Sequence, residues 1–245
     1  MPEGPSLLIV KESLEIFSNR KMSKASGNVK VDLILLKNKE ITHFRTWGKQ
    51  LFIFTREGPV IRIHFLMFGS YSLDEQTKPD ARIRLCLELG KRKIFFYTCS
   101  VKFVEDPTDT YDWSADVLSD SYNVPATRKK LKAQPGALVC DALLNQEIFS
   151  GVGNIIKNEV LYRIRLHPES VLGEIPPPMI TKLIKEARNY SFDFLEWKKA
   201  FVLKKHWLAH TKKECQRCNL PLLKKYCGLT KRRTFFCENC QVKYA

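Results

Sequence analysis

The 245 residues contain no run of eighteen or more apolar side chains, so no segment is expected to cross a membrane as a helix. The N-terminus, MPEGPSLLIVKESLEIF, lacks the basic start, long apolar middle and small-residue cleavage site of a secretory signal. Acidic residues are scarce: 26 Asp and Glu against 41 Lys and Arg leave a formal net charge of +15. Such an excess gives a positive potential suited to a polyanion, above all nucleic acid. The surplus is uneven, because residues 198–245 hold 13 basic side chains against only Glu214 and Glu238, which favours a binding face over general solubilisation. Internal repeats and low-complexity segments are also absent. The eight cysteines do not make a disulfide framework. Four fall in two CxxC pairs, while Cys86, Cys99, Cys140 and Cys227 are scattered and read as buried or incidental thiols of a reduced cell interior.

At 44% hydrophobic, the chain can build a core, in one large domain or in two smaller ones with an appendage. Leu7, Val10, Leu14 and Phe17 share one face of a leading helix, whose first turn suits Pro5. Strand periodicity follows. Val29, Val31, Leu33 and Leu35 alternate with Lys30, Asp32 and Ile34, and Ile61, Ile63 and Phe65 alternate with Arg62 and His64. Ile83, Leu85, Leu87 and Leu89 alternate with polar neighbours, and a turn at Gly90-Lys91 leads into residues 93–97 as a hairpin. Several short strands suggest a sandwich or barrel. The Asp/Ser-rich residues 106–120 read as an interdomain linker. Beyond them apolar residues recur at helical spacing, as in Leu138, Leu143 and Leu144 or Ile155, Val160 and Leu161, and Pro176 to Pro178 open another helix carrying Ile180, Leu183, Ile184 and Ala187.

Cys215-x2-Cys218 and Cys237-x2-Cys240 enclose 18 residues, enough for a β-hairpin that closes one tetrahedral four-thiolate site for a structural Zn2+. Four thiolates leave no open coordination position, so the metal is not expected to be catalytic. Lys231, Arg232 and Arg233 lie within that hairpin, placed to meet phosphates or a groove. At the other end, removal of Met1 would expose the secondary amine of Pro2, a nucleophile able to form an iminium, with Glu3 beside it as a proton shuttle. In the middle, Gly151-Val152-Gly153-Asn154 opens a helix. The glycines let backbone N–H groups approach a phosphate, although the same pattern serves ordinary helix–helix turns.

Together these segments resemble the formamidopyrimidine-DNA glycosylase and endonuclease VIII family. The matching residues are Pro2-Glu3-Gly4-Pro5, Trp47-Gly48-Lys49, the stretch from Leu144 through Gly151, Gly153, Asn154 and Glu159 to His167-Pro168, and the ending Arg232, Thr234, Phe235, Cys237, Cys240, Gln241. The resemblance implies an α+β fold of two domains. An N-terminal β-sandwich with a leading helix would span 1–112. A helical helix-two-turns-helix domain would span 113–209, ending in a zinc-finger β-hairpin at 210–245. It also implies a monomeric, bifunctional glycosylase and abasic-site lyase acting on DNA with oxidised bases or abasic sites, at the nucleoid of a bacterium or in the nucleus of a eukaryote. Pro2 would attack C1′, Glu3 would act as acid and base, and Lys49, Asn154 and Arg232 would hold phosphates. Met67, with Phe68 beside it, would fill the gap left by the everted base, unless Met67 is a core residue. Lys102 and Phe103 would serve the opposite strand.

Two positions depart from the family pattern: Ser6 replaces an acidic residue, which bears on base preference, and Asn145 replaces an aspartate, which bears on support of the helix turn. Gly4 and the short route through residues 206–215 are similar to the endonuclease VIII branch and imply oxidised pyrimidines as preferred substrates. Three alternatives remain: an oxidised-purine glycosylase of the same family, a non-catalytic binder of damaged DNA, and a zinc-ribbon component of a ribosomal or transcription complex.

Overall fold

A computed structural model describes residues 2–245, which fall into two compact units divided along the chain between Tyr111 and Asp112. The first begins with α1, Gly4–Leu14. Glu3 is extended at the N-cap position (φ −104°, ψ 168°), and Pro5 sits in the first turn, where its missing N–H costs nothing. Leu7, Val10 and Leu14 are buried, as is Phe17 in the 3-10 turn Glu15–Phe17.

Nine strands follow: β1 Arg20–Lys21, β2 Lys24–Ser26, β3 Glu40–Trp47, β4 Gln50–Thr55, β5 Val60–His64, β6 Ser70–Leu73, β7 Ile83–Leu89, β8 Arg92–Tyr97 and β9 Ser100–Val104. They form two antiparallel sheets, ordered β1-β3-β4-β5-β9 and β2-β7-β8-β6. Phe44, Leu51, Ile53, Ile61 and Ile63 from the first sheet share one core with Leu85, Leu87, Ile94 and Phe96 from the second. Alternation reads clearly in β5, where Ile61 and Ile63 are buried between half-buried neighbours. The β7–β8 turn has Gly90 at φ +69°.

Residues 29–35 do not form the expected strand. They run into a 3-10 turn, Leu33–Leu36, capped by the Asp32 carboxylate, which accepts from Ile34 N–H at 3.0 Å. Only Leu36 is fully buried there, while Ile34 is 78% exposed. A local side-chain bond outcompetes a ladder when so few residues alternate. Residues 106–120 contain the division between the two units, and the segment is ordered. Asp106 caps α2 (Pro107–Thr110), Asp112 caps the turn Trp113–Ala115, and Asp116 accepts from Leu118 N–H at 2.9 Å. The acidic residues are turn caps, and Ala115 and Val117 anchor the segment by burial.

The second unit carries α3 Val124–Lys132, α4 Val139–Leu144, α5 Asn154–Arg163 and α6 Pro177–Lys199, then the hairpin of β10 Leu223–Cys227 and β11 Arg232–Phe236. Its core joins Leu143, Phe149, Ile156, Val160, Leu183 and Phe194 to Cys227 and Phe236 of the hairpin. α5 is wrapped by protein from Ile156 to Tyr162. Among the described residues, no helix is long and apolar enough to cross a membrane.

Candidate active site, nucleic-acid interface and metal centre

In the first unit, the start of α1 places Pro2 half-buried and Glu3 3% exposed. The Glu3 carbonyl accepts from Ser6 N–H at 2.8 Å, which fixes the bend into the helix. α1 packs on β3 and β4. Those strands are joined by a two-residue turn, with Gly48 at φ +54° and Lys49 half-buried between the paired Trp47 and Gln50. Tyr111 braces this end of the hairpin. Its ring lies 4.7 Å from Trp47, and its hydroxyl donates to Gln50 Oε1 at 3.1 Å.

His64, which the sequence did not single out, pairs with Gln50 and Ser100 across the sheet, and its Nδ1 accepts from Leu66 N–H at 3.2 Å. Burial lowers its pKa, and the charges of Lys49 and Arg62 lower it further. Beyond His64 the chain turns through Leu66 (φ +52°), Met67 and Phe68, which are 46%, 52% and 74% exposed. Met67 is thus not a core residue. Gly69 closes the turn by donating to Phe65 O at 2.7 Å; a Cβ there would lie 2.1 Å from that oxygen, so no other residue fits. Lys102 and Phe103 lie on β9, Lys102 exposed opposite Arg62 and Phe103 half-buried against the sandwich core.

In the second unit, Gln146 builds the glycine turn: its Nε2 donates to Leu144 O and Val152 O at 2.8 and 3.2 Å, and its Oε1 accepts from Gly151 N–H at 3.1 Å. Asn145 accepts from Glu147 N–H at 3.0 Å, a supporting role in the same turn. Asn154 opens α5 and donates from Nδ2 to Arg233 O at 2.8 Å; Arg232, the residue before Arg233, is exposed. The next polar residues of α5 are struts. Lys157, fully buried, donates to Thr234 Oγ1 at 2.6 Å. Asn158 Nδ2 pairs with His210 Nδ1 at 3.0 Å, and burial, reinforced by Lys157 and Arg233, pushes His210 down to about 4, keeping the ring neutral. Glu159 accepts the backbone N–H groups of Leu208, Ala209 and His210 at 2.7–2.9 Å. The sequence hint was three consecutive polar residues inside an apolar helix, each of which needs a partner once buried.

The four CxxC thiols converge. Their sulfur atoms all lie within 4.8 Å of one another, with Cys215 to Cys240 at 3.8 Å and Cys218 to Cys237 at 3.5 Å. A tetrahedron with metal–sulfur bonds of about 2.3 Å has edges of roughly 3.8 Å, so the set fits one metal ion. Tyr162 hydroxyl lies 3.2 Å from Cys215 Sγ, and Arg217 covers the Tyr162 ring at 3.8 Å. Gln241 ties the site to the helices: its Oε1 accepts from Cys237 N–H, and its Nε2 donates to Leu166 O, each at 2.8 Å.

The family model of the formamidopyrimidine-DNA glycosylase N-terminal domain matches residues 1–104, and that of the formamidopyrimidine-DNA glycosylase H2TH domain matches residues 114–192. Endonuclease 8-like 3 of Bos taurus is 32% identical over 206 residues, which cover 80% of this chain and 34% of that protein. Endonuclease 8-like 2 of Homo sapiens is 30% identical over 200 residues, covering 75% and 58%. The chain thus spans about a third to three-fifths of the length of these curated relatives. Among solved structures, a viral DNA glycosylase superposes with a TM-score of 0.84 at 21% identity, covering 98% of this chain and all of that one. Lactococcus lactis formamidopyrimidine-DNA glycosylase, bound non-covalently to DNA with an abasic site, gives 0.85 at 19% identity with the same coverage. These structures share the fold. Both family models, in order along one chain, together with the endonuclease 8-like relatives, show that the chain belongs to the formamidopyrimidine-DNA glycosylase and endonuclease VIII family, in its endonuclease VIII-like branch.

Proposed function

We propose that this chain is a bifunctional DNA glycosylase and abasic-site lyase of base excision repair, acting on oxidised bases with pyrimidines preferred. The observation that carries the reading is Glu3: a carboxyl group 3% exposed, immediately after Pro2, at the start of a helix packed on the Lys49 hairpin. A buried carboxyl next to a candidate amine nucleophile has a chemical use, whereas a frayed terminus would leave it in water.

The Pro2 nitrogen, exposed by loss of Met1, attacks C1′ of the damaged nucleotide. The bond from C1′ to the base breaks, and the base leaves with a proton. The sugar ring opens as the nitrogen lone pair forms the C1′ iminium, and Glu3 protonates O4′. Proline's ring nitrogen makes this iminium a fixed cation with no N–H to lose, so it withdraws electrons from C2′. Removal of a C2′ proton expels the 3′ phosphate, a second elimination expels the 5′ phosphate, and water releases the proline.

Lys49, Asn154 and Arg232 hold phosphates of the DNA backbone. Met67 and Phe68 fill the gap left by the everted base, a role suited to their exposure. Lys102 faces the opposite strand, with Phe103 behind it. The four-thiolate site holds Zn2+, whose part is to fold the hairpin that carries Arg232. Purine lesions are the second reading, because Ser6 stands where the family has an acidic residue.

The reaction leaves a specific product. A duplex with one thymine glycol should be cut to a one-nucleoside gap carrying phosphate at both ends. Base release without strand cleavage, or no release from any oxidised base, contradicts the proposal.

A further inference from the structure

α6 ends in a Schellman turn with an unusual residue at its apex. Phe201 N–H donates to Lys198 O at 3.1 Å and Val202 N–H to Trp197 O at 2.9 Å, which closes the helix with Phe201 at φ +59°. This left-handed position is normally filled by Gly or Asn, because a Cβ is crowded there, and a bulky aromatic is an outlier. Phe201 gains no burial in return: it is 97% exposed, the most exposed of the large apolar side chains among the described residues.

Its pedestal is rigid. Trp197, before the turn, stacks face to face on His206, after it, with ring centroids 4.1 Å apart and planes within 4°. The Arg163 guanidinium lies over both Trp197 and Tyr190, at 5.6 and 4.8 Å. The two legs of the loop are thereby clamped, and the Phe201 ring stands out between them. Lys199, Lys204 and Lys205 are exposed on either side, and no acidic residue lies between positions 197 and 213.

We propose that Phe201 is a stacking platform for an unpaired nucleobase, with Lys199, Lys204 and Lys205 meeting the phosphates that flank it. An exposed ring among cations matches a base face beside its backbone, the pairing that nucleic-acid grooves use for unpaired strands. In duplex DNA the base faces are already stacked on one another, so a fully paired duplex offers this ring nothing. Strain and exposure at one residue, on a clamped loop, suit a site where a side chain is presented to a ligand. The proposal rests on the reading of the chain as a DNA-binding protein, and its test separates the two.

The binding of three labelled probes is measured by fluorescence anisotropy: a single strand of about a dozen nucleotides, the matching duplex, and that duplex with one bulged base. Phe201→Ala should weaken binding of the single strand, of the bulged duplex, or of both by about tenfold, the usual worth of one aromatic–base stack, and leave the paired duplex unchanged. The arm that loses affinity identifies the source of the base. Phe201→Trp should restore binding. Phe201→Gly removes the left-handed strain, so it should melt no lower than the wild type while binding as weakly as the alanine variant. Duplex binding by the wild type, with no loss on either unpaired probe in Phe201→Ala, overturns the platform. If the wild type binds none of the three probes, the DNA-binding reading falls with it.

Discussion

Cys237→Ser should empty the four-thiol site and abolish DNA binding while the β-sandwich unit stays folded. Structural zinc in such sites contributes on the order of 10 kcal/mol to folding. The two-stranded hairpin has few apolar contacts of its own with which to replace it; its main anchors are Cys227, Phe235 and Phe236. The loss also spreads along the chain. Gln241 bridges Cys237 N–H and Leu166 O, and Asn154 and Lys157 are tied to β11, so freeing the hairpin releases the start of α5 as well. Calorimetry should show the second unit melting at lower temperature with the first unmoved, and metal analysis should find no bound zinc. A variant without metal that binds DNA as the wild type does would show that the hairpin takes no part in the interface.

Glu3→Gln should slow excision of the oxidised base by roughly 10²- to 10⁴-fold, the usual worth of a positioned acid–base group. The substitution keeps the shape of a nearly fully buried side chain and leaves the Pro2 amine in place, so it removes proton transfer without removing the nucleophile. Single-turnover release of thymine glycol isolates that step, and an unchanged melting temperature separates it from misfolding. A rate equal to that of the wild type would remove Glu3 from the chemistry.

Much of this architecture is legible in the sequence where one signal dominates. The apolar face of α1, the alternation in β5 and β7, the prolines opening α6 and the two CxxC pairs each answer to one local rule, and each stands where the rule puts it. The rules fail where side chains act on distant or local backbone. Residues 29–35 alternate like a strand, but Asp32 caps a turn instead; the acidic residues of 106–120 mark the division between the units, but their work there as turn caps does not show in the sequence. The same holds for the site. The cysteines can be picked from the sequence, because the two CxxC pairs mark them, and Pro2 and Lys49 are proposed on the same ground of their neighbours in the chain. His64, Lys157 and Asn158 cannot, because their partners lie on other strands, on β11 and at His210. Exposure is equally hidden: Met67 and Phe201 are apolar letters whose solvent contact only the fold determines.

The central claim is that the Pro2 nitrogen forms the covalent bond to DNA. Borohydride reduces an iminium to a stable amine. Added during reaction with an oligonucleotide carrying thymine glycol or an abasic site, it should therefore leave protein and DNA joined, and peptide mapping should place the DNA on Pro2 after loss of Met1. An uncleaved tag ahead of Pro2, which removes the free amine, should prevent the adduct. An adduct that maps to a lysine, or that forms equally well with the tag in place, would contradict the account.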